Sequence, residues 1–381
     1  MIHMNRLVMF ELRKIMIPRV WISIAGSTAL AIFCFVSFYP SGTDSLLVVN
    51  KEKPEAIAAH LGPIQADLVL KYAPRLKEEY AEDSAWPKEE KMKRILEQHY
   101  AGTAYMVDQF NRNLTELRER KVLLEKQEPG SYTLRDVTKK LSMLEEGKPR
   151  GFYVTEDWDL LHIFFSSSPG VGDLLIGLIL VFALAPLFSG EENYRMDALI
   201  LSSRYGRLKI VAAKLLAGFI VTFSWVTLFY GICTLLACLP FGFVGWNAPL
   251  NSYFYFDETP YALTQLQGFA LKYAVTLLAA CGLLLLTALI SALCRSSLSS
   301  LGLAAFVVIL PLFSLPGMLG KIISFLPSGV MVSRSLIEKY VSYNIFGIPI
   351  LHLPLSILSV IIIGILAIML IPIAFERRLK V

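Results

Sequence analysis

Apolar and charged residues are segregated along this chain on a scale much longer than one amphipathic helix. Uninterrupted apolar runs occupy Val20 to Phe38, Gly170 to Phe188, Leu208 to Leu239, Leu263 to Leu293, Leu298 to about Leu315, and Leu351 to Ala374. Each approaches or exceeds the ~20 residues that a helix needs to cross a bilayer. The pattern predicts six transmembrane helices. Residues 1–18 are too polar to span. Leu7, Phe10 and Ile15 are interleaved there with Arg6, Glu11, Arg13 and Lys14, which suits a helix lying in the membrane interface. Positive residues before an apolar run also open secretory signals. The run from Val20 is long enough to span, however, and lacks an Ala-x-Ala end, which favours a retained anchor.

Between residues 41 and 165 the apolar runs give way to charged residues of mixed sign, predicting one polar, helical domain. Pro87 follows Ser84-Ala85-Trp86 and suits a first helical turn. From there Leu96, Thr103, Phe110, Leu117 and Leu124 recur in heptads, with Tyr100, Val107 and Leu114 offset by four. This predicts one long helix with a single apolar seam. Gly130 ends it, and Thr133 to Glu146 form a second helix, stopped by Gly147 and Pro149. Pro54 to Tyr80 offers one or two shorter helices. The seam fits a helical hairpin, a second copy of the chain or a substrate. Asn113-Leu114-Thr115 matches a glycosylation acceptor, a frequent chance match.

Composition agrees with a membrane protein: 55% of the 381 residues are hydrophobic and the mean hydropathy is +0.56. The formal charge of +5 matters less than its distribution. The N-terminal segment, the stretch Arg195 to Lys214, the Arg295 turn and the Arg377-Arg378-Lys380 tail are basic, whereas the Phe241 to Tyr261 loop carries Asp257 and Glu258 and no Lys or Arg. By the positive-inside rule, and with an even number of spans, both ends are cytoplasmic and the polar domain is outside. The division expected is an interfacial helix over 1–18, the first span over 19–40, an extracytoplasmic helical domain over 41–165 and spans two to six over 166–381. An external segment over 316–349 falls in the last part. Its Lys321, Arg334 and Lys339 cut against the charge rule, and its apolar Ile322 to Leu326 suits a helix dipping back into the bilayer. All five cysteines lie in apolar runs or at their ends, so no disulfide framework is implied.

Catalytic signatures are missing from the sequence. Gly170-Val171-Gly172-Asp173 matches the Gly-x-Gly-Asp of intramembrane aspartyl proteases, but no second mid-membrane carboxylate accompanies it. The plainer reading puts Asp173 in the first turn of a helix at the outer interface. There is no His-Glu-x-x-His, no Gly-x-Ser-x-Gly and no P-loop, so no catalytic residue, metal site or resident cofactor is expected, nor is nucleic acid. Lys272 is the one clear charge inside a span, a functional candidate by default. It lies near the outer end of its helix, where snorkelling is cheap. Pro311 and Pro316 free backbone carbonyls and permit a kink. Together with Lys272 they are the candidates for a pathway.

The stretch from Gly190 to Lys214 is a charged island between two spans. It reads Phe188-Ser-Gly-Glu191-Glu192, then Asp197-Ala-Leu-Ile-Leu-Ser-Ser203-Arg-Tyr-Gly-Arg207, then Ala213-Lys214-Leu215. Six spans, an interfacial N-terminal helix, a helical break before the last span and this island resemble the membrane subunit of an ABC type-2 exporter. The resemblance implies a cytoplasmic coupling loop at 190–207 that docks on a separate cytoplasmic ATPase. Glu191, Glu192, Asp197, Arg204 and Arg207 would serve the docking, while Arg13, Lys14, Lys214, Arg377 and Arg378 anchor the chain at the headgroups. ATP and Mg would be held by the ATPase, and a second permease subunit, identical or paralogous, would complete the pair in the plasma membrane. The polar insert after the first span departs from the short loop of many members.

Overall fold

The computed structural model describes residues 2–38, 50–51, 54–58, 61–63, 87–147, 150–155, 158, 161–162, 164–165, 170–190, 206–239, 242–313, 315–333 and 336–379. Helix dominates. The N-terminal helix α1 (Ile2–Ile15) turns at Ile17 into α2 (Pro18–Phe38), with the proline in the first turn, where its missing N–H costs nothing. Later come α5 (Val171–Leu184), α6 (Pro186–Ser189), α7 (Gly206–Cys238), α8 (Gln265–Leu293), α9 (Ser297–Ile309), α10 (Gly317–Ser324), α11 (Pro327–Val332) and α12 (His352–Leu379). Among the described residues, five helical stretches, Val20–Ser37, Val171–Ser189, Leu208–Cys238, Gln265–Leu293 and His352–Glu376, are long and apolar enough to cross a bilayer. The protein is therefore a predominantly helical chain built for a membrane.

The segment expected as the fifth span is shorter. α9 ends at Ile309, and Leu310 to Phe313 tighten into a 3-10 turn. Pro311 explains the stop: it offers no N–H to the carbonyl of the preceding turn, which breaks the α-helical ladder there. Pro316 then caps α10 from outside. α8 is the central helix, packed by α5, α6, α7, α9, α11 and α12. It can be central because its buried face carries small residues, among them Ala279, Ala280, Ala288, Ser291 and Ala292. At Gly282 a Cβ would lie 2.7 Å from Val360 Cγ1, so the close approach of α8 and α12 depends on the missing side chain.

The polar insert contains α3 (Lys88–Gln127), a single 40-residue helix, and α4 (Tyr132–Glu145), which folds back along it. Gly130 takes a positive φ in the turn, and Ser131 caps α4 by accepting from the Leu134 N–H at 3.1 Å. The seam packs within the chain. Its upper part, with Leu96, Tyr100 and Val107, meets Ile57, Phe152 and Val154, while Phe110, Leu114 and Leu117 meet Leu141 and Leu144.

Among the described residues, two short strand pairs are the small exception to an otherwise all-α chain. β1 (Gly62–Pro63) pairs with β2 (Gly151–Phe152), and β3 (Ser342–Ile345) forms a hairpin with β4 (Ile348–Leu351). Phe346 and Gly347 both take positive φ, 51° and 81°, the geometry of a two-residue hairpin loop. The alternation of Val341, Tyr343 and Ile345 before Gly347 carried the signal, but the run is short. The hairpin falls where the external segment 316–349 was expected, and it feeds directly into α12.

Candidate functional site

Two buried polar centres lie at opposite ends of the same three helical segments. The first surrounds the break between α5 and α6. Pro186 cannot donate to the carbonyl a turn earlier, so the helix divides at Ala185. Hydroxyls fill the gap. The Ala185 carbonyl accepts from Ser291 Oγ at 2.6 Å, Ser300 Oγ at 2.8 Å and Ser189 Oγ at 3.0 Å, while the Phe188 and Ser189 N–H groups donate to Ser291 Oγ at 3.0 Å. Lys214, from the third turn of α7, donates to the Leu187 carbonyl at 2.7 Å and pairs with Glu11 of α1 at 3.1 Å. A positive group at a helix C-terminus is well placed against its dipole. The ammonium also lies 5.5 Å from the Phe188 ring centroid.

This arrangement changes the part assigned to Lys214. The headgroup anchor expected at that position is a buried side chain, 1% exposed, turned into the bundle by Glu11 and the Leu187 carbonyl. Glu11 was read as part of the polar face of α1. It shares the stripe of Leu7 and Ile15 at four-residue spacing, and that register signalled its burial. Arg13 and Lys14 stay exposed, and Lys14 also reaches Glu11 at 3.4 Å. Arg207 lies in the first turn of α7, and Arg377 and Arg378 in the last turns of α12. Glu191, Glu192, Asp197 and Arg204 lie outside the described residues. What is described is the stem of their loop, Leu187–Gly190 on one side and the start of α7 on the other, joined through Lys214.

The second centre is an ion pair. Lys272 Nζ of α8 stands 2.7 Å from Asp173 Oδ2 of α5, with side chains 5% and 0% exposed. Asp173 Oδ1 accepts from Tyr230 Oη of α7 at 3.1 Å and from Thr276 Oγ1 at 3.2 Å. Lys272 also donates to the Met331 carbonyl of α11 at 2.7 Å. A buried charge persists only when paired and hydrogen-bonded, and both conditions are met. Lys272 therefore turns inward to a carboxylate instead of snorkelling, and Asp173, in the first turn of its helix as expected, is buried in the bundle. Pro311 lies within the 3-10 turn and Pro316 stands immediately before α10.

Around the ion pair lies an aromatic cluster. Phe165 stacks on Tyr230 at 4.0 Å between centroids, and Phe269 packs against both. Beyond it, in the connection before α5, His162 is buried against Tyr253 and Phe256 and hydrogen-bonds Gln265 Oε1 at 2.9 Å. Burial pushes its pKa down from 6.5 to about 4, so it donates to Gln265 as a neutral ring. Farther out, Arg150 lies over the Phe110 ring at 3.5 Å and donates to the Asp257 carbonyl. Burial lowers its pKa to about 10, opposed by Asp257 and Glu258.

The insert is tied to the hairpin ahead of α12. Asp136 of α4 accepts from Tyr340 Oη at 2.9 Å and Ser342 Oγ at 2.5 Å, Lys139 donates to the Pro349 carbonyl at 2.8 Å, and Arg135 to the Gly347 carbonyl at 3.1 Å. Among the described residues, no group of three or more His, Cys, Asp or Glu is placed to hold a metal. Compared with known proteins, the chain matches no family model, no curated protein and no solved structure.

Proposed function

We propose that this chain is the membrane-spanning permease subunit of an ATP-driven ABC exporter in the plasma membrane, with six transmembrane helices and both ends cytoplasmic. It pairs with a second permease subunit and moves a drug, peptide or lipid-like substrate. ATP and Mg are bound and ATP is hydrolysed on a separate cytoplasmic ATPase, which docks on the 190–207 loop through Glu191, Glu192, Asp197, Arg204 and Arg207.

The observation that supports this most is the stem of that loop. α6 and α7 leave the loop on either side, and Lys214 bridges them by bonding the Leu187 carbonyl. Glu11 draws α1 into the same contact. A force on the loop therefore reaches three helices at once. α5, α7 and α8 each contribute again to the Asp173–Lys272 centre, so the displacement is carried as a rigid-body shift to their far ends. Closure of the ATPases can bias such a shift only if the loop contacts them differently in the two states. Glu192→Lys is expected to abolish ATPase association or coupling while membrane insertion persists. Full transport with normal association in that variant would defeat the docking assignment.

A second reading has an observation of its own. The ties from α4 to the hairpin ahead of α12 join the polar insert to the spans, which suits a device carrying an ATP-driven movement to an extracytoplasmic partner with nothing crossing. Vesicles containing the chain and its ATPase separate the two readings: an exporter accumulates or loses a candidate substrate on ATP addition, and a transmission device does not.

A further inference from the structure

The hairpin β3–β4 has two faces of opposite character, because neighbouring side chains on a strand point to opposite sides. Ser342 faces α4, where its hydroxyl donates to Asp136 at 2.5 Å and lies 3.2 Å from Tyr132 Oη. Tyr343 faces the other way. Its ring centroid is 5.3 Å from that of Phe325 at the end of α10 and 5.5 Å from that of His352 at the start of α12. The register pairs Ser342 with Leu351, Tyr343 with Ile350, Asn344 with Pro349 and Ile345 with Ile348. Cross-strand partners share a face, so Pro349 and Leu351, both buried, lie on the α4 side. Tyr343, Ile345, Ile348 and Ile350 make up the second face, on the side of α10 and α12.

Toward the tip this second face is open. Ile348 is 58% exposed and Phe346, in the turn itself, 98%. Phe346 holds φ at 51°, in a turn position that favours Asn, Asp or Gly, so a bulky ring stands there against the backbone preference and almost wholly uncovered. The elements on that side are exposed and apolar too. α10 presents Met318, Leu319 and Ile322, and α12 presents Leu358, Ile361 and Ile362. At about 3.4 Å per residue, β4 keeps Ile348 within about 14 Å of His352, where α12 begins. We propose that the partner of this face is the phospholipid surface: Phe346, Ile345 and Ile348 rest at the acyl boundary of the leaflet on the side of the polar insert. The hairpin is then a layer between α4 and the lipid. Three isoleucines and one phenylalanine fall short of the roughly 800 Å² per partner that a stable protein interface buries. An apolar face continuous with a span meets no such demand at the bilayer surface. The inference rests on the spans and on the two faces of the hairpin, and is independent of whether the chain exports a substrate.

Spin labels test the proposal in the full chain, freed of its native cysteines and reconstituted into phosphatidylcholine vesicles. They are attached at Phe346→Cys, Ile348→Cys and, as a control on the α4 side, Asn344→Cys. At 346 and 348, collisions with dissolved oxygen, which concentrates in lipid, should exceed those with a water-soluble nickel chelate. At 344 the order should reverse. Should a substitution unsettle the hairpin, the unmodified chain in vesicles doped with a phospholipid carrying a photoactivatable acyl chain gives a second measurement. The peptide containing 345–350 is expected to be labelled, and Phe346→Asp should lower that labelling several-fold with labelling of α12 unchanged. Dominant nickel collisions at 346 and 348 would put the tip in water. Loss of both kinds of collision, with broadening between labels on different chains, would mean that a second copy covers the face. Acyl-chain labelling that reaches Ile362 and Ile365 but misses 345–350 would confine lipid contact to the span. Each of these three outcomes overturns the proposal.

Discussion

At the scale of single residues, the buried charges make the sharpest demands. Removing one partner of a buried ion pair leaves the other charged and unsolvated, which costs about 3–5 kcal/mol, whereas replacing both with apolar groups is often close to neutral. Asp173→Ala is therefore expected to lower stability by roughly that amount, and Lys272→Met by a similar one. The double variant should recover much of the loss, because neither charge is then stranded. Thermal unfolding of the three variants in detergent checks this, and strictly additive losses would show that the pair is not a coupled unit. His162 supplies a pH effect with a definite sign. Its folded pKa of about 4 lies below the ordinary 6.5, so between these values the unfolded chain binds a proton that the folded chain refuses. The stability that this site contributes is whole above about pH 6.5 and falls as pH drops toward about 4. Unfolding midpoints measured at pH 7.5 and 4.5 should differ by less in His162→Asn than in the unmodified chain.

At the scale of elements, what could be read from sequence depended on the length over which a pattern persisted. The long α3 was legible because its seam repeats from Leu96 to Leu117, and the turn into α4 because Gly130 and Ser131 have one clear use each. Long apolar runs announced α2, α5, α7, α8 and α12 in the same way. The partners of buried charges were not legible, because Asp173 and Lys272 are far apart in the chain and only packing of α5 against α8 brings them together. Lys214 misled for a related reason: a lysine at the start of a span ordinarily faces headgroups, and only the contact with α1 and α6 turns it inward. The hairpin β3–β4 escaped because four-residue strands carry too few alternations. Its attachment to α4 is nevertheless specific. Asp136→Ala removes the acceptor for Tyr340 and Ser342, each bond contributing about 1 kcal/mol or less after exchange with water. Faster hydrogen exchange is expected over residues 340–351 with little change in α8. Unchanged exchange there would show that Lys139 and Arg135 hold the hairpin unaided.

At the scale of the whole molecule, the two polar centres constrain how the helices run. Asp173 begins α5 and Leu187 ends α6, Lys214 lies near the start of α7 and Tyr230 beyond it, and Lys272 and Ser291 stand toward opposite ends of α8. Contacts at both ends therefore require α5 and α8 to run one way and α7 the other. At 1.5 Å per residue the centres are separated by about 20–28 Å, most of a hydrocarbon core. Glu11 places α1 at the loop-stem end, together with Arg13 and Lys14, whereas Asp173 and Lys272 lie toward the end that carries the polar insert. The orientation proposed above puts the first end in the cytoplasm, and on that proposal the two ends should differ in access from outside. In a background without the five native cysteines, Asn113→Cys on α3 is expected to react with an impermeant maleimide in intact cells. Arg13→Cys should react only after the membrane is opened. Labelling of both from one side would break the pairing of helix directions, and the reverse labelling would put the 190–207 loop outside, beyond the reach of any cytoplasmic ATPase.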